Sequence, residues 1–280
     1  MVTISTFYDK ISLGDGVRPN CQKADDSYLY EVGVFIFLIG WSMPMKHNQK
    51  KENQAYFTLL DLIENEKNVC PICLATEKSV VNYFDILLYE LVNDPRIMGT
   101  IDNAMGFCKK HTALLMSMGD PFGQSIIYKS ILEQATKVLP SLLLKPKNNV
   151  KLFKNKRSLI YETIKSRCPA CALEKEFEKL YINEFISALE KQEFREYFSL
   201  SNGLCIPHFI KIMEACKNRN SATFLFNTQL KIMNNIIAEL GEFIRKNDYR
   251  FSKERINNEK DAWKRAARLL GGKHILDKLH

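Results

Sequence analysis

One pattern occurs twice in this chain and limits what it can fold into. Cys70-Pro-Ile-Cys73 is followed by Gly106-Phe-Cys108-Lys-Lys-His111, and Cys168-Pro-Ala-Cys171 by Gly203-Leu-Cys205-Ile-Pro-His208. In the first copy 34 residues separate Cys73 from Cys108; in the second, 33 separate Cys171 from Cys205. The same four ligand types recur in the same order, with proline after the first cysteine and glycine two places before the third. A fold that hosts this pattern must bring distant helix starts together, and it points to an internal duplication.

The residue types fit one chemistry. A Cys-x-x-Cys pair sets two thiols close enough to grip a single ion. Proline after the first cysteine suits the opening position of a helix, where its missing N–H costs nothing. The positive end of that helix favours thiolate over thiol. Cys-x-x-His opening a second helix places a thiolate and an imidazole one turn apart on one face. Three sulfurs and one nitrogen make a closed tetrahedral set, the usual form of a structural zinc site. The candidate ligands are Cys70, Cys73, Cys108, His111, Cys168, Cys171, Cys205 and His208, enough for two zinc ions per chain. Two zinc ions with six thiolates would change the formal net charge from +8 to +6. An iron–sulfur cluster is the alternative for such donors, and a redox dithiol at each CPxC pair is another, though a thioredoxin-like strand–helix setting is missing. Pairing of ligands within each repeat is the simplest assignment; the spacing also allows ligands to cross between repeats.

Away from the motifs the periodicity is helical. In 77–92 the apolar residues Val80, Val81, Phe84, Leu87, Leu88 and Leu91 recur at three and four. Phe224, Leu225, Leu230, Met233, Ile236, Ile237, Leu240 and Phe243 do the same in 224–244. No stretch from residue 52 onward alternates with period two. The expected fold is all-α, with two pseudo-repeated helical halves, each stapled by a Cys3His site. The expected boundaries are an N-terminal segment at 1–51, a first repeat at 52–145, a basic linker at 146–157, a second repeat at 158–250 and a C-terminal helical extension at 251–280.

Other features fit around this frame. The stretch 145–157, KPKNNVKLFKNKR, holds six cations and no acid. It reads as a solvated connector; contact with a polyanion such as nucleic acid is the functional alternative. The apolar run Val32–Met45 has 14 residues, short of the ~20 that span a membrane, and acids precede it. It reads as a buried element, and the polar turn in composition after it makes Met43 and Met45 candidate starts. No secretory signal opens the chain, so a reducing, cytoplasmic setting is expected. Cys21 and Cys216 fall outside the motif and read as small buried hydrophobes; His47, His274 and His280 read as surface residues. Asp85, Glu90 and Asp94 read as a solvated helix face. The terminal helix is expected to dock through Trp263, Leu269 and Leu270, with Arg250, Arg265 and Arg268 at its rim.

No glycine-rich phosphate loop, Gly-x-Ser-x-Gly elbow or acid/base carboxylate pair is present, so the expected role is non-enzymatic: a zinc-binding helical protein that presents a surface to a protein partner. The two CPxC…GxCxxH units, together with Asp248–Phe251 (DYRF) and Asp261–Ala266 (DAWKRA), resemble those of an uncharacterised prokaryotic family. Phe84–Pro95 shares in the likeness, which spans roughly residues 52–272. The resemblance implies the metal sites and no particular activity.

Overall fold

The computed structural model describes residues 54–142, 168–251 and 253–271. The segment 1–51, the linker at 146–157, Cys21, His47, His274 and His280, and the start of the second repeat lie outside the described residues.

Among the described residues every regular element is helical: α1 Gln54–Asn65, α2 Pro71–Ile86, α3 Pro95–Asn103, α4 Lys109–Ser117, α5 Pro121–Val138, α6 Pro169–Ala188, α7 Gln192–Ser199, α8 Ile206–Ala215, α9 Arg219–Lys246 and α10 Ala262–Gly271. A π-helical turn, Leu87–Leu91, extends α2. None of these helices is long and apolar enough to cross a membrane.

Helix starts are written plainly in the sequence. Pro71, Pro95, Pro121 and Pro169 each open a helix, where a proline loses no hydrogen bond. Asp94, Asp120 and Asn218 cap α3, α5 and α9, each side chain accepting from two backbone amides. Asp94 is therefore not part of a solvated face of the preceding helix. It terminates one helix and starts the next. At α2, α4, α6 and α8 the N-cap residue is a cysteine: Cys70, Cys108, Cys168 and Cys205.

The duplication is visible helix by helix, with α2–α5 repeated as α6–α9. Helices α2 and α6 make the most extensive contact of any pair, and α1 packs across α2, α6 and α7. The core contains Phe84, Leu87, Tyr181, Phe185, Phe194 and Phe198, all fully or almost fully buried. Phe185 meets Phe194 and Phe198 edge to face, with centroids 5.2 and 5.3 Å away. Ser79 Oγ and Tyr181 OH, one on each central helix, are hydrogen-bonded at 2.9 Å. The later part of α2 lies beside the second repeat's opening cysteine: Tyr83 is within electrostatic reach of Cys168. The beginning of α2 reaches, through His208, the level of Glu178 on α6. Helices α2 and α6 therefore run antiparallel.

Three expectations change. Residues 224–244 do not form one buried stripe: Leu225, Ile232 and Ile236 face inward, while Leu230 and Ile237 are exposed. The helix has two apolar faces, because its residues recur at both registers of the 3.6-residue turn. Helix α10 docks through Ala262 and Leu269, while Trp263 and Leu270 point outward on the opposite side of the turn. Arg265 at its rim is ion-paired with Glu239 and Asp261. Cys216 caps the end of α8 and is half-buried rather than buried, with its thiol 3.6 Å from Asn218 O at the turn into α9.

Candidate metal centres

The eight motif residues converge into two clusters. Cys70, Cys73, Cys205 and His208 form one; Cys108, His111, Cys168 and Cys171 form the other. In each cluster the four donor atoms lie within 4.8 Å of one another. Each cluster combines the CPxC of one repeat with the CxxH of the other. The pairing within repeats expected above is corrected by this geometry. The reason is topological: antiparallel packing of α2 and α6 carries the start of each toward the CxxH helix of the opposite repeat.

The first centre has Cys73 Sγ 3.7 Å from Cys205 Sγ. His208 Nδ1 lies 3.5 Å from Cys70 Sγ, 3.2 Å from Cys73 Sγ and 3.1 Å from Cys205 Sγ. The second centre repeats this. Cys108 Sγ is 3.5 Å from Cys171 Sγ, and His111 Nδ1 lies 3.3, 3.4 and 3.3 Å from Cys108, Cys168 and Cys171. No described cysteine forms a disulfide. Cys70, Cys168, Cys205, His111 and His208 are buried; Cys73, Cys108 and Cys171 are half-buried.

Backbone geometry sets the third cysteine of each motif. Gly203 has φ +74° and Gly106 has φ +94°, the left-handed region that glycine enters without strain. An added Cβ at Gly203 would come within 2.6 Å of Gln229 Oε1. That amide is committed: Gln229 accepts from the Leu204 N–H at 3.0 Å and donates to the Leu204 C=O at 2.9 Å. The clamp fixes the peptide next to Cys205 from α9. The motif glycines are thus explained by close approach as well as by their turn.

Two residues that sequence reading missed complete the centres. Glu178 Oε1 accepts from His208 Nε2 at 2.7 Å and from Lys211 Nζ at 2.7 Å. Glu174 Oε2 faces His111 Nε2 at a longer 3.4 Å, and Lys110 is ion-paired with the same carboxylate. Each imidazole therefore presents Nδ1 to the sulfurs; His208 Nε2 is hydrogen-bonded to Glu178, whereas His111 Nε2 is in ion-pair range of Glu174 without a hydrogen bond. Such a partner fixes ring orientation and tautomer in metal sites. Both carboxylates come from α6; the matching positions on α2 are Thr76 and Val80. A signal existed, two glutamates four apart on the helix after CPxC, but it is not duplicated and looks like an ordinary charged face.

The electrostatics are those of facing thiolates and imidazoles. Against the cost of burial, Cys168, with the sulfurs around it, raises His111 to about 9. Cys205 and Cys73 raise His208 to about 10, again against burial. Cys168, despite burial, is brought down to about 6 by His111 and the backbone amides of Cys108 and Cys171. Burial pushes Cys70 and Cys171 up. Contacts from Cys70 and Cys73 pull Cys205 down. His111, and then Lys110, hold Glu174 down at about 2. Each cluster thus pairs a lowered thiol with a raised imidazole, and a divalent cation would take the place of the protons that the remaining thiols hold.

A family model described as a family of unknown function (DUF6062) matches residues 44–277. The chain belongs to that family. An uncharacterised 23.9 kDa protein in the xynA 3′ region of Caldicellulosiruptor sp. (strain Rt8B.4) is 26% identical to it over 191 residues, 68% of this chain and 88% of the relative. No solved structure matches the chain. Membership in DUF6062 agrees with the resemblance to an uncharacterised family and adds no activity to it. The two clusters, which could hold metal ions, are the chemical content of this DUF6062 chain.

Proposed function

We propose that the protein is a non-enzymatic helical scaffold held together by two structural Zn²⁺ ions. Cys70, Cys73, Cys205 and His208 hold one ion; Cys108, His111, Cys168 and Cys171 hold the other. The observation that carries this reading is the spacing of the donors. A tetrahedron with Zn–S of about 2.3 Å and Zn–N of about 2.05 Å has S···S edges of roughly 3.8 Å and S···N edges of roughly 3.6 Å. Eight of the twelve donor separations run from 3.1 to 3.7 Å, and all lie within 4.8 Å. That room suits one ion per cluster, whereas a cluster of several irons needs its sulfurs further apart. Thiolate-rich, four-donor sites select zinc among the common divalent metals by ligand type and geometry.

Four protein donors per ion leave no position for water or substrate, so the ions serve the fold. Glu174 and Glu178 orient the imidazoles, and Lys110 and Lys211 balance those carboxylates. Because each centre joins both repeats, the ions hold the halves together. The scaffold then offers its helical surface to a protein partner. Reduced cysteines in this number suit a reducing compartment.

Elemental analysis of protein purified without added metal tests the reading. Two zinc per chain and a colourless protein are expected, with a large fall in melting temperature on chelation. A brown protein containing iron and sulfide would replace zinc with a cluster. Chelation that strips metal without lowering the melting temperature would end the structural role.

A further inference from the structure

Helix α9 carries an apolar seam on its outer side. Phe226, Leu230, Met233, Ile237, Leu240 and Ile244 follow one another at steps of four and three residues. This is a heptad register over about 27 Å of helix. The inward stripe of the same helix, Leu225, Gln229, Ile232 and Ile236, is already buried against the protein. Met233 and Leu240 lean on that inner core and are half-buried. The rest of the seam is open: Phe226 is 48% exposed, Leu230 44%, Ile237 62% and Ile244 72%.

Between Asn220 and Ile244 the charged residues are Lys231, which is exposed, and Glu239 and Glu242, which are ion-paired with Arg265 and with Arg245 and Lys246. Asn227, Asn234 and Gly241 border the seam at successive heptads. A Cβ built on Gly241 meets nothing within 4 Å. Glycine in mid-helix is costly, and nothing in the described residues requires it there. It allows a second helix to approach closely.

We propose that this seam is the interface of a homodimer, with α9 of a second copy as its occupant. Three observations choose a second copy. The heptad sets Leu230, Ile237 and Ile244 at one core position and Phe226, Met233 and Leu240 at the other, and β-branched residues at the former favour two-stranded pairing. Charges bordering a seam set partner choice; the bordering positions Asn227, Asn234 and Gly241 carry none, so the strip meets itself without repulsion across a two-fold axis. The strip and its small polar border present on the order of 600 Å² per copy, close to the roughly 800 Å² per partner of a standard interface. This gives the partner surface of the scaffold reading a location and an occupant, and so rests on that reading.

The test is sedimentation velocity on the metal-loaded full chain across a concentration series, with metal content measured on the same samples. We expect a species of twice the 32.4 kDa chain mass. Ile237→Lys should weaken self-association by at least about tenfold with helix content and metal content unchanged. Ile244→Lys, at the more exposed end of the seam, provides a second variant. Leu132→Lys, exposed on α5 outside the seam, should leave the dimer intact. A chain that stays monomeric overturns the proposal, including the case in which another part of the chain covers α9. So does a dimer that survives both seam variants, or seam variants that both lose helix content or metal. A monomer with two zinc ions would sink the dimer alone; a dimer without metal would sink the zinc reading alone.

Discussion

Cys73 and His208 are 135 residues apart in the chain, and their Sγ and Nδ1 atoms lie 3.2 Å apart. This contact joins the first CPxC to the second CxxH, and the Cys168–His111 contact at 3.4 Å does the reverse. Neither centre can form inside one repeat. Each is a clasp between the two.

The first consequence is thermodynamic coupling. If each cluster holds an ion as proposed, closing one centre brings together the helices that carry the other, and a second ion would meet an organised site. Cys73→Ser should lower the affinity of the opposite centre, where it supplies no ligand, by roughly 5–150-fold, the range of an ordinary coupling energy. Competition with a chromophoric chelator measures this. Unchanged affinity at the intact centre would mean the sites are independent.

Glu178 makes a second test, because it lies on α6, whose opening cysteines serve one centre, yet contacts the histidine of the other. Glu178→Gln should weaken the Cys70–Cys73–Cys205–His208 centre by about 10–100-fold, as outer partners of metal ligands do. The centre holding Cys168 should change far less. Site-resolved metal exchange would separate the two. Equal weakening of both would show that the helix, not the hydrogen bond, was damaged.

Gly203→Ala and Gly119→Ala form a matched pair. Both glycines have positive φ, +74° and +78°. A Cβ at Gly119 meets open space, whereas one at Gly203 collides with the Gln229 amide that clamps Leu204. Gly119→Ala should cost the strain alone, about 1–2 kcal/mol. Gly203→Ala should add the unpaired Leu204 peptide, for a total of about 2–4 kcal/mol, and weaken the adjoining centre. Denaturant unfolding and metal titration would show whether the costs diverge.

Acid should loosen the contact between α9 and the segment that carries Glu259. Lys246 Nζ donates to Glu259 Oε1 at 2.7 Å, with both side chains largely buried. That bond, with backbone amides, holds Glu259 at about 2, against 4.5 unperturbed. A carboxylate lowered in the folded state stabilises it above the unfolded value, and the benefit drains away as pH falls toward the folded one. The melting-temperature difference between wild type and Glu259→Gln should be full at pH 6 and shrink from about pH 4.5 downward. A difference that grows on acidification would contradict the ion pair.

Much of this was legible in the residues. Period-3.6 apolar spacing gave the helical class, and the prolines of the two CPxC pairs, Pro71 and Pro169, marked helix starts that the structure repeats. The eight candidate ligands came from the duplicated motif, and all eight meet in space. Their partition did not, because ligand spacing is local while the crossing depends on how α2 and α6 pack. Glu174 and Glu178 were hidden for a similar reason: on sequence they match any solvated i, i+4 pair, and only the position of the CxxH helices gives them a role. The double face of α9 was hidden because two adjacent stripes merge into one apolar pattern until burial separates them.

The crossed clasp is tested most directly by replacing the metal with ¹¹³Cd and recording ¹¹³Cd–¹H correlations on the assigned protein. We expect one cadmium coupled to the side-chain protons of Cys70, Cys73, Cys205 and His208, and the other to those of Cys108, His111, Cys168 and Cys171. A cadmium coupled to Cys70, Cys73, Cys108 and His111 would contradict it.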